Sequence, residues 1–102
     1  MTLDFNLDWR PCTIPGYVVN QYGVVLGKEG KPLTHIPHSR GYSMVQMGKT
    51  LVFVHREVAI AFHPNTDDTL QVDHVDECKV HNVATNLQWL TPQKNSERSN
   101  AK

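Results

Sequence analysis

The last third of this 102-residue chain leaves little freedom in how it can fold. Residues 70–75 read as a short strand that runs into Asp73-His74-Val75. Residues 76–85 are a ten-residue excursion, and residues 86–90 return as a second strand with Leu87 and Trp89 on one face. Thr91 then offers a hydroxyl to the orphan N–H groups of a helix start, and Pro92 suits the first helical position. A helix to about residue 99 follows. The order is therefore strand, long loop, strand, helix.

Upstream, residues 1–15 read as irregular, with Pro11 and Pro15 as breakers and Trp9 packed on the sheet that follows. Residues 17–19 and 23–26 are two short strands around a turn at 20–23, and residues 27–32 form a second turn-rich stretch. Residues 35–41 read as a polar loop holding Pro37. Residues 42–47 and 49–54 then form a hairpin that turns at Gly48. From His55 the period changes: Val54, Val58, Ala61 and Phe62 fall at i, i+4, i+7 and i+8, one face of a helix. Pro64 ends it by pushing His63 out of the helical region. The length predicts one domain with a modest core.

The acidic start has neither the basic nor the apolar part of a signal peptide, and no apolar run is long enough to span a bilayer. The expected location is cytoplasmic, with no membrane partner. Cys12 and Cys78 lie far apart without a CxxC pattern, so they read as reduced and non-catalytic, with Cys78 a small buried or half-buried side chain. The formal net charge is zero, which argues against a generic basic nucleic-acid binder. Its distribution is uneven: −2 over residues 1–8, +4 over 9–60, −5 over 61–77 and +3 over 78–102. Two basic segments flank an acidic one, and a cation bound in the acidic segment would reduce its repulsion of phosphate.

That acidic segment holds the chemistry. Phosphodiester hydrolysis needs an in-line nucleophile, a base to deprotonate it and a cation on the developing charge. His74 is the natural base. Asp73 is a hard oxygen donor suited to magnesium or manganese, and Asn95 adds an amide oxygen from the helix. Strand alternation sends Asp73 and His74 to opposite faces, so a site using both needs a twist, a bulge or a reach around an edge. Singly, each residue has a plainer reading: a surface Asp-His pair, a turn asparagine at Asn86, a solvated helix residue at Asn95.

The stretch from Val54-His55-Arg56-Glu57-Val58-Ala59 through Ala61-Phe62-His63-Pro64-Asn65, then Val72-Asp73-His74-Val75-Asp76, Asn82, Asn86-Leu87-Gln88-Trp89-Leu90-Thr91-Pro92 and Asn95, resembles the HNH endonucleases of phage and mobile introns. Trp9, Ile14-Pro15-Gly16-Tyr17 and Asn20-Gln21-Tyr22-Gly23-Val24-Val25 resemble the short module that often precedes this nuclease. The resemblance implies an α+β class, with a β-rich module over 1–50 and a second part over 51–102: a ββα-metal core preceded by a small antiparallel sheet and a helix, and divalent-metal-dependent DNA cleavage. It implies His74 as general base, Asp73 and Asn95 as ligands of one Mg2+ or Mn2+ ion, and Asn86 as the asparagine that fixes the loop and orients His74. Relatives usually carry Gly-Asn where this chain has Glu77-Cys78; Glu77 stands where a glycine would tolerate positive φ, which puts loop geometry in question.

Arg40, Lys49, His55, Arg56, Lys94 and Arg98 are the expected DNA contacts, His55 and Arg56 because they start a helix. One site per chain implies nicking by a monomer, with a weak homodimer needed for a double-strand break. A zinc site from His63, His74, Cys78 and His81 is disfavoured, since the paired CxxC motifs of zinc-bearing relatives are missing. The rival reading is a non-catalytic DNA-binding module that kept the fold; the intact set Asp73, His74, Asn86 and Asn95 favours the enzyme.

Overall fold

The structure, a computed structural model, describes residues 6–65 and 67–100, with 97–100 as backbone alone. Three small antiparallel sheets surround one helix. The first joins β1 (Arg10–Pro11), β2 (Val18–Val19) and β3 (Val25–Leu26); the second joins β4 (Ile36–Pro37), β5 (Ser43–Met47) and β6 (Thr50–Phe53). The third is a two-stranded ribbon of β7 (Gln71–His74) and β8 (Leu87–Leu90). Helix α1 (Val54–Phe62) follows β6 directly, and α2 (Pro92–Asn100) packs on β7 and β8.

Helix α1 is central because its apolar face meets β2, β5, β6, β7 and β8. Val54, Val58 and Ala59 from α1, Val19, Val25, Val45 and Met47 from the first two sheets, and Leu87 from the ribbon form one core cluster. A two-stranded ribbon is marginal alone, and this packing is what holds it. Glu57, on the same helix, is also buried. Its carboxylate accepts from the Thr13 backbone N–H at 2.8 Å and from the Thr13 hydroxyl, which pins the N-terminal segment to α1. Burial, and then the nearby charge of Glu57, push the Cys12 thiol up to about 12, so it is unreactive.

The hairpin, both ribbon strands and both helices lie where the pattern puts them. Lys94 N–H donates to the Thr91 hydroxyl at 3.2 Å, which is the expected cap. Two strands arise where loops were expected. β1 and β4 are two residues each, too short for a periodic signal, and exist because β2 and β5 offer partners. Pro37 is tolerated in β4 because that strand is an edge and needs no donor there. Trp9 and Cys78 are corrections: Trp9 is 37% exposed, and Cys78 is exposed in a loop whose Val75 and Val80 are exposed as well.

The turn at 20–23 is packed against the excursion. Asn20, buried, accepts from the N–H groups of Tyr22 and Val24 through its side-chain oxygen. Gln21 O accepts from Ala84 N–H at 2.7 Å. Gly23 has φ +84, and a Cβ there would lie 3.0 Å from Asn82 O, so only glycine lets the two segments approach this closely.

Glu77 has φ 65, the left-handed conformation that the glycine of relatives would adopt freely. The glutamate holds this conformation and bears its strain. Glu77→Gly is expected to raise unfolding free energy by about 1 kcal/mol, measured by urea denaturation. An unchanged or lowered midpoint would show that Glu77's own contacts outweigh the strain.

Candidate active site

The ribbon register sorts the site residues by face. Asp73 pairs with Gln88 and His74 with Leu87, so Asp73 shares a face with Gln88 and Gln71, while His74 shares the core face with Leu87, Val72 and Trp89. Both side chains are buried, Asp73 at 8% and His74 at 5% exposure. Gln88 Nε2 donates to Asp73 Oδ2 at 2.8 Å across the ribbon. On the same face Asn95 Nδ2 donates to Gln71 Oε1 at 3.0 Å, which orients the amide and leaves Oδ1 as its acceptor. Oxygen donors thus lie on the α2 side of the ribbon and the imidazole on the other, at the last residue of β7, where the chain turns into the loop.

His74 Nε2 lies 2.8 Å from Asn82 Oδ1. Its ring is 5.2 Å from that of His55 and 6.1 Å from that of Tyr42, and His55 stacks on Tyr42 at 4.8 Å and 30°. The hairpin's N-terminal end therefore walls in the imidazole. His55 was expected at a phosphate, and this is corrected: its side chain is buried. Burial, then the neighbouring His74 and Arg56, lower it to about 3, so at neutral pH it offers no cation.

Asn86 ties the two ends of the loop together. Its Oδ1 accepts from Asp76 N–H at 3.1 Å, and its Nδ2 donates to Asp76 Oδ1 at 2.9 Å and to His81 O at 2.8 Å. Next to it, Asn86 O accepts from Val75 N–H, just past His74. Asp76 also accepts from Cys78 N–H and His81 Nδ1; these bonds, that from Cys78 first, hold its carboxyl down to about 2.

Among the described residues, no group of three or more His, Cys, Asp or Glu could hold a metal. The zinc alternative is not assembled: His63 Nε2 is engaged with Ala84 O, His81 with Asp76 and His74 with Asn82. The donor set that suits a hard cation is the Asp73 carboxylate with the Asn95 amide oxygen, one charge and one neutral oxygen, which leaves room for water and phosphate.

Arg40, Lys49, Arg56 and Lys94 are exposed. They are not clustered: Lys49 lies at the hairpin tip, about 17 Å of strand away from the Tyr42 end. Arg56 lines a groove with Ile60, Leu70, Trp89, Asp67 and Asp68. The Arg98 side chain lies outside the described residues. Two residues had no individual signal in the sequence. Lys79 places its ammonium 4.9 Å over the Tyr42 ring and donates to Arg40 O, putting a cation beside the imidazole wall. Asn82 was visible only as part of the family pattern.

A two-stranded antiparallel ribbon with a helix on one face, a histidine at its end and an asparagine lacing its loop matches the fold of the HNH endonucleases. The solved structure of the phage HNH homing endonuclease I-HmuI superposes with a TM-score of 0.83 at 34% identity, covering 92% of this chain and 58% of that one. In sequence the chain is 41% identical over 86 residues to the DNA endonuclease I-HmuI of Bacillus phage SP01, across 79% of this chain and 49% of that protein. It is 32% identical over 84 residues to an uncharacterized HNH endonuclease of Acanthamoeba polyphaga mimivirus, across 78% of this chain and 26% of that protein. The chain thus spans about half or less of the curated relatives it matches. No protein-family model matches it. Among the described residues no helix is long and apolar enough to cross a membrane.

Proposed function

We propose that this chain is a metal-dependent endonuclease that hydrolyses phosphodiester bonds in duplex DNA, one strand per site. The observation that carries this is the ribbon itself: a buried, hydrogen-bonded His74 at its end, with Asp73 and Asn95 on the face toward α2. His74 takes a proton from the attacking water. The water oxygen bonds to phosphorus, the P–O bond in line with it breaks, and the leaving oxygen is protonated from solvent. A Mg2+ or Mn2+ ion held by Asp73 and Asn95 supplies positive charge to the scissile phosphate when bound. Asn86 holds the loop and Tyr42 and His55 the ring, so the imidazole is preorganised. Lys79 over the Tyr42 ring, Arg40 whose carbonyl it holds, and Lys94 on α2 are the cations we assign to the DNA backbone. I-HmuI binds and cleaves DNA, which supports the same substrate class here.

Supercoiled plasmid incubated with Mg2+, Mn2+, Zn2+ or EDTA tests the reading. Nicked circles are expected with Mg2+ or Mn2+ and none in EDTA, and Asp73→Ala is expected to lower the rate by roughly 10²-fold or more. Cleavage that persists in EDTA would overturn the mechanism. DNA binding without cleavage under any metal would favour the non-catalytic module.

A further inference from the structure

We infer that His81 is a phosphate-binding residue: Asp76 fixes its ring through Nδ1, and Nε2, when protonated, donates to a phosphate oxygen of the DNA backbone. His81 holds this role only if DNA is the substrate, as proposed above. Its Nδ1 lies 2.6 Å from Asp76 Oδ2. Hydrogen bonds, that from Cys78 N–H first, hold the Asp76 carboxyl down to about 2, so at neutral pH it is a carboxylate and can only accept. The proton between the two therefore sits on His81 Nδ1. Nε2 is left as the nitrogen that gains or loses a proton. It has no hydrogen-bond partner among the described residues and belongs to a side chain that is 48% exposed. A phosphate oxygen accepts and does not donate, so His81 takes a proton onto Nε2 from solvent as the DNA arrives.

An ordinary surface ion pair joins two loosely held side chains and contributes little to stability. His81 is held more firmly than that. Its backbone N–H donates to Cys78 O at 3.0 Å, its carbonyl accepts from Asn86 Nδ2 at 2.8 Å, and its ring is tied to Asp76. The loop does not depend on the ring for its shape, because Asp76 Oδ1 already accepts from Cys78 N–H and Asn86 Nδ2, and Asn86 Oδ1 accepts from Asp76 N–H. What the ring contact adds is a fixed direction for Nε2. The position also suits a backbone contact. The next residue, Asn82, reaches His74, and Lys79, two residues earlier, stands over Tyr42 beside the same imidazole. The charged and titratable groups around His81 are Asp76, Glu77, Cys78 and Lys79 from the loop, His74 behind Asn82, and Tyr22 from the 20–23 turn packed on it; Asn86 brings no charge.

The test is nitrogen-15 NMR of the His81 ring as a duplex oligonucleotide is added in EDTA at about pH 7, near the ordinary range of an imidazole. Nδ1 is expected to stay protonated throughout, and Nε2 to gain proton occupancy as the DNA saturates. Fluorescence anisotropy with the same duplex gives the second readout. At pH 6, His81→Phe is expected to bind roughly 3- to 10-fold more weakly than wild type, with a salt slope shallower by about 0.9, the mark of one lost phosphate contact. At pH 8 the two are expected to bind about equally. His81→Lys, which carries its charge at both pH values, is expected to bind tightly at both. A wild-type Nε2 unchanged by saturating DNA overturns the inference whether or not any variant folds. So does a folded His81→Phe with the wild-type dependence on pH and salt. No DNA binding at all overturns it together with the endonuclease reading. The His81 signature without cleavage under any metal supports the contact and overturns the endonuclease reading alone.

Discussion

His74→Ala is expected to lower the nicking rate by roughly 10²- to 10⁴-fold, the contribution of a positioned general base. DNA affinity is expected to change little, because His74 is buried and the exposed cations lie elsewhere. The substitution also leaves Asn82 Oδ1 without its donor in a buried site, at a cost of about 1–3 kcal/mol. The variant must therefore be assayed below its own unfolding midpoint, and single-turnover nicking beside a melting curve separates the two effects. A folded variant that nicks at the wild-type rate would remove His74 from the mechanism.

Acid is expected to act on this protein through His55 well before it acts on the carboxylates. The folded state holds His55 at about 3, against the ordinary 6.5 of an imidazole, chiefly because the ring is buried. Above about pH 6.5 the ring is neutral in folded and unfolded chains alike, and its contribution is fully present. As the pH falls from there towards 3, the unfolded chain binds a proton that the folded one refuses, and stability drops by several kcal/mol in total. Asp76 adds a later stage. Its depressed carboxyl contributes above about pH 4, and that contribution is lost as the pH falls towards 2. Urea denaturation at a series of pH values should show the first decline near pH 6, and His55→Phe, which keeps an aromatic ring on Tyr42, should remove it. A wild type equally stable at pH 7 and pH 4 would rule the account out.

How much of this was legible in the residues follows from where the signals are local. The α1 face, the Gly48 hairpin and the Thr91 cap are written in spacings of a few residues, and all three are found. The family pattern carried the fold class, and through it the pairing of β7 with β8. Alternation placed Asp73 and His74 on opposite faces, and the register shows that division. The misses are non-local. β1 and β4 have no pattern of their own. Trp9 was read as packed on the sheet that follows, and Cys78 as buried or half-buried for its chemistry. His55 was read from its place at a helix start, whereas what decides its state is Tyr42, thirteen positions earlier in the chain. Asn82 and Lys79 gain their roles only when the loop folds back on the hairpin and the 20–23 turn. Glu77 is the intermediate case: the sequence flagged the position, and the backbone there has the positive φ that a glycine would adopt without strain.

The closeness of Gly23 to Asn82 has a bearing on how such chains can be recombined. The two positions are 59 residues apart, yet a single added methyl on the first would meet the backbone of the second at 3.0 Å. A chimaera joining the first half of one relative to the second half of another would inherit Asp73, His74 and Asn95 intact and could still misplace the imidazole, if its turn and its loop came from parents with different clearances there. Gly23 and Asn82 are thus expected to travel together as a matched pair, as are Tyr42 and His55. That linkage constrains how freely the β-rich half can be exchanged between such chains.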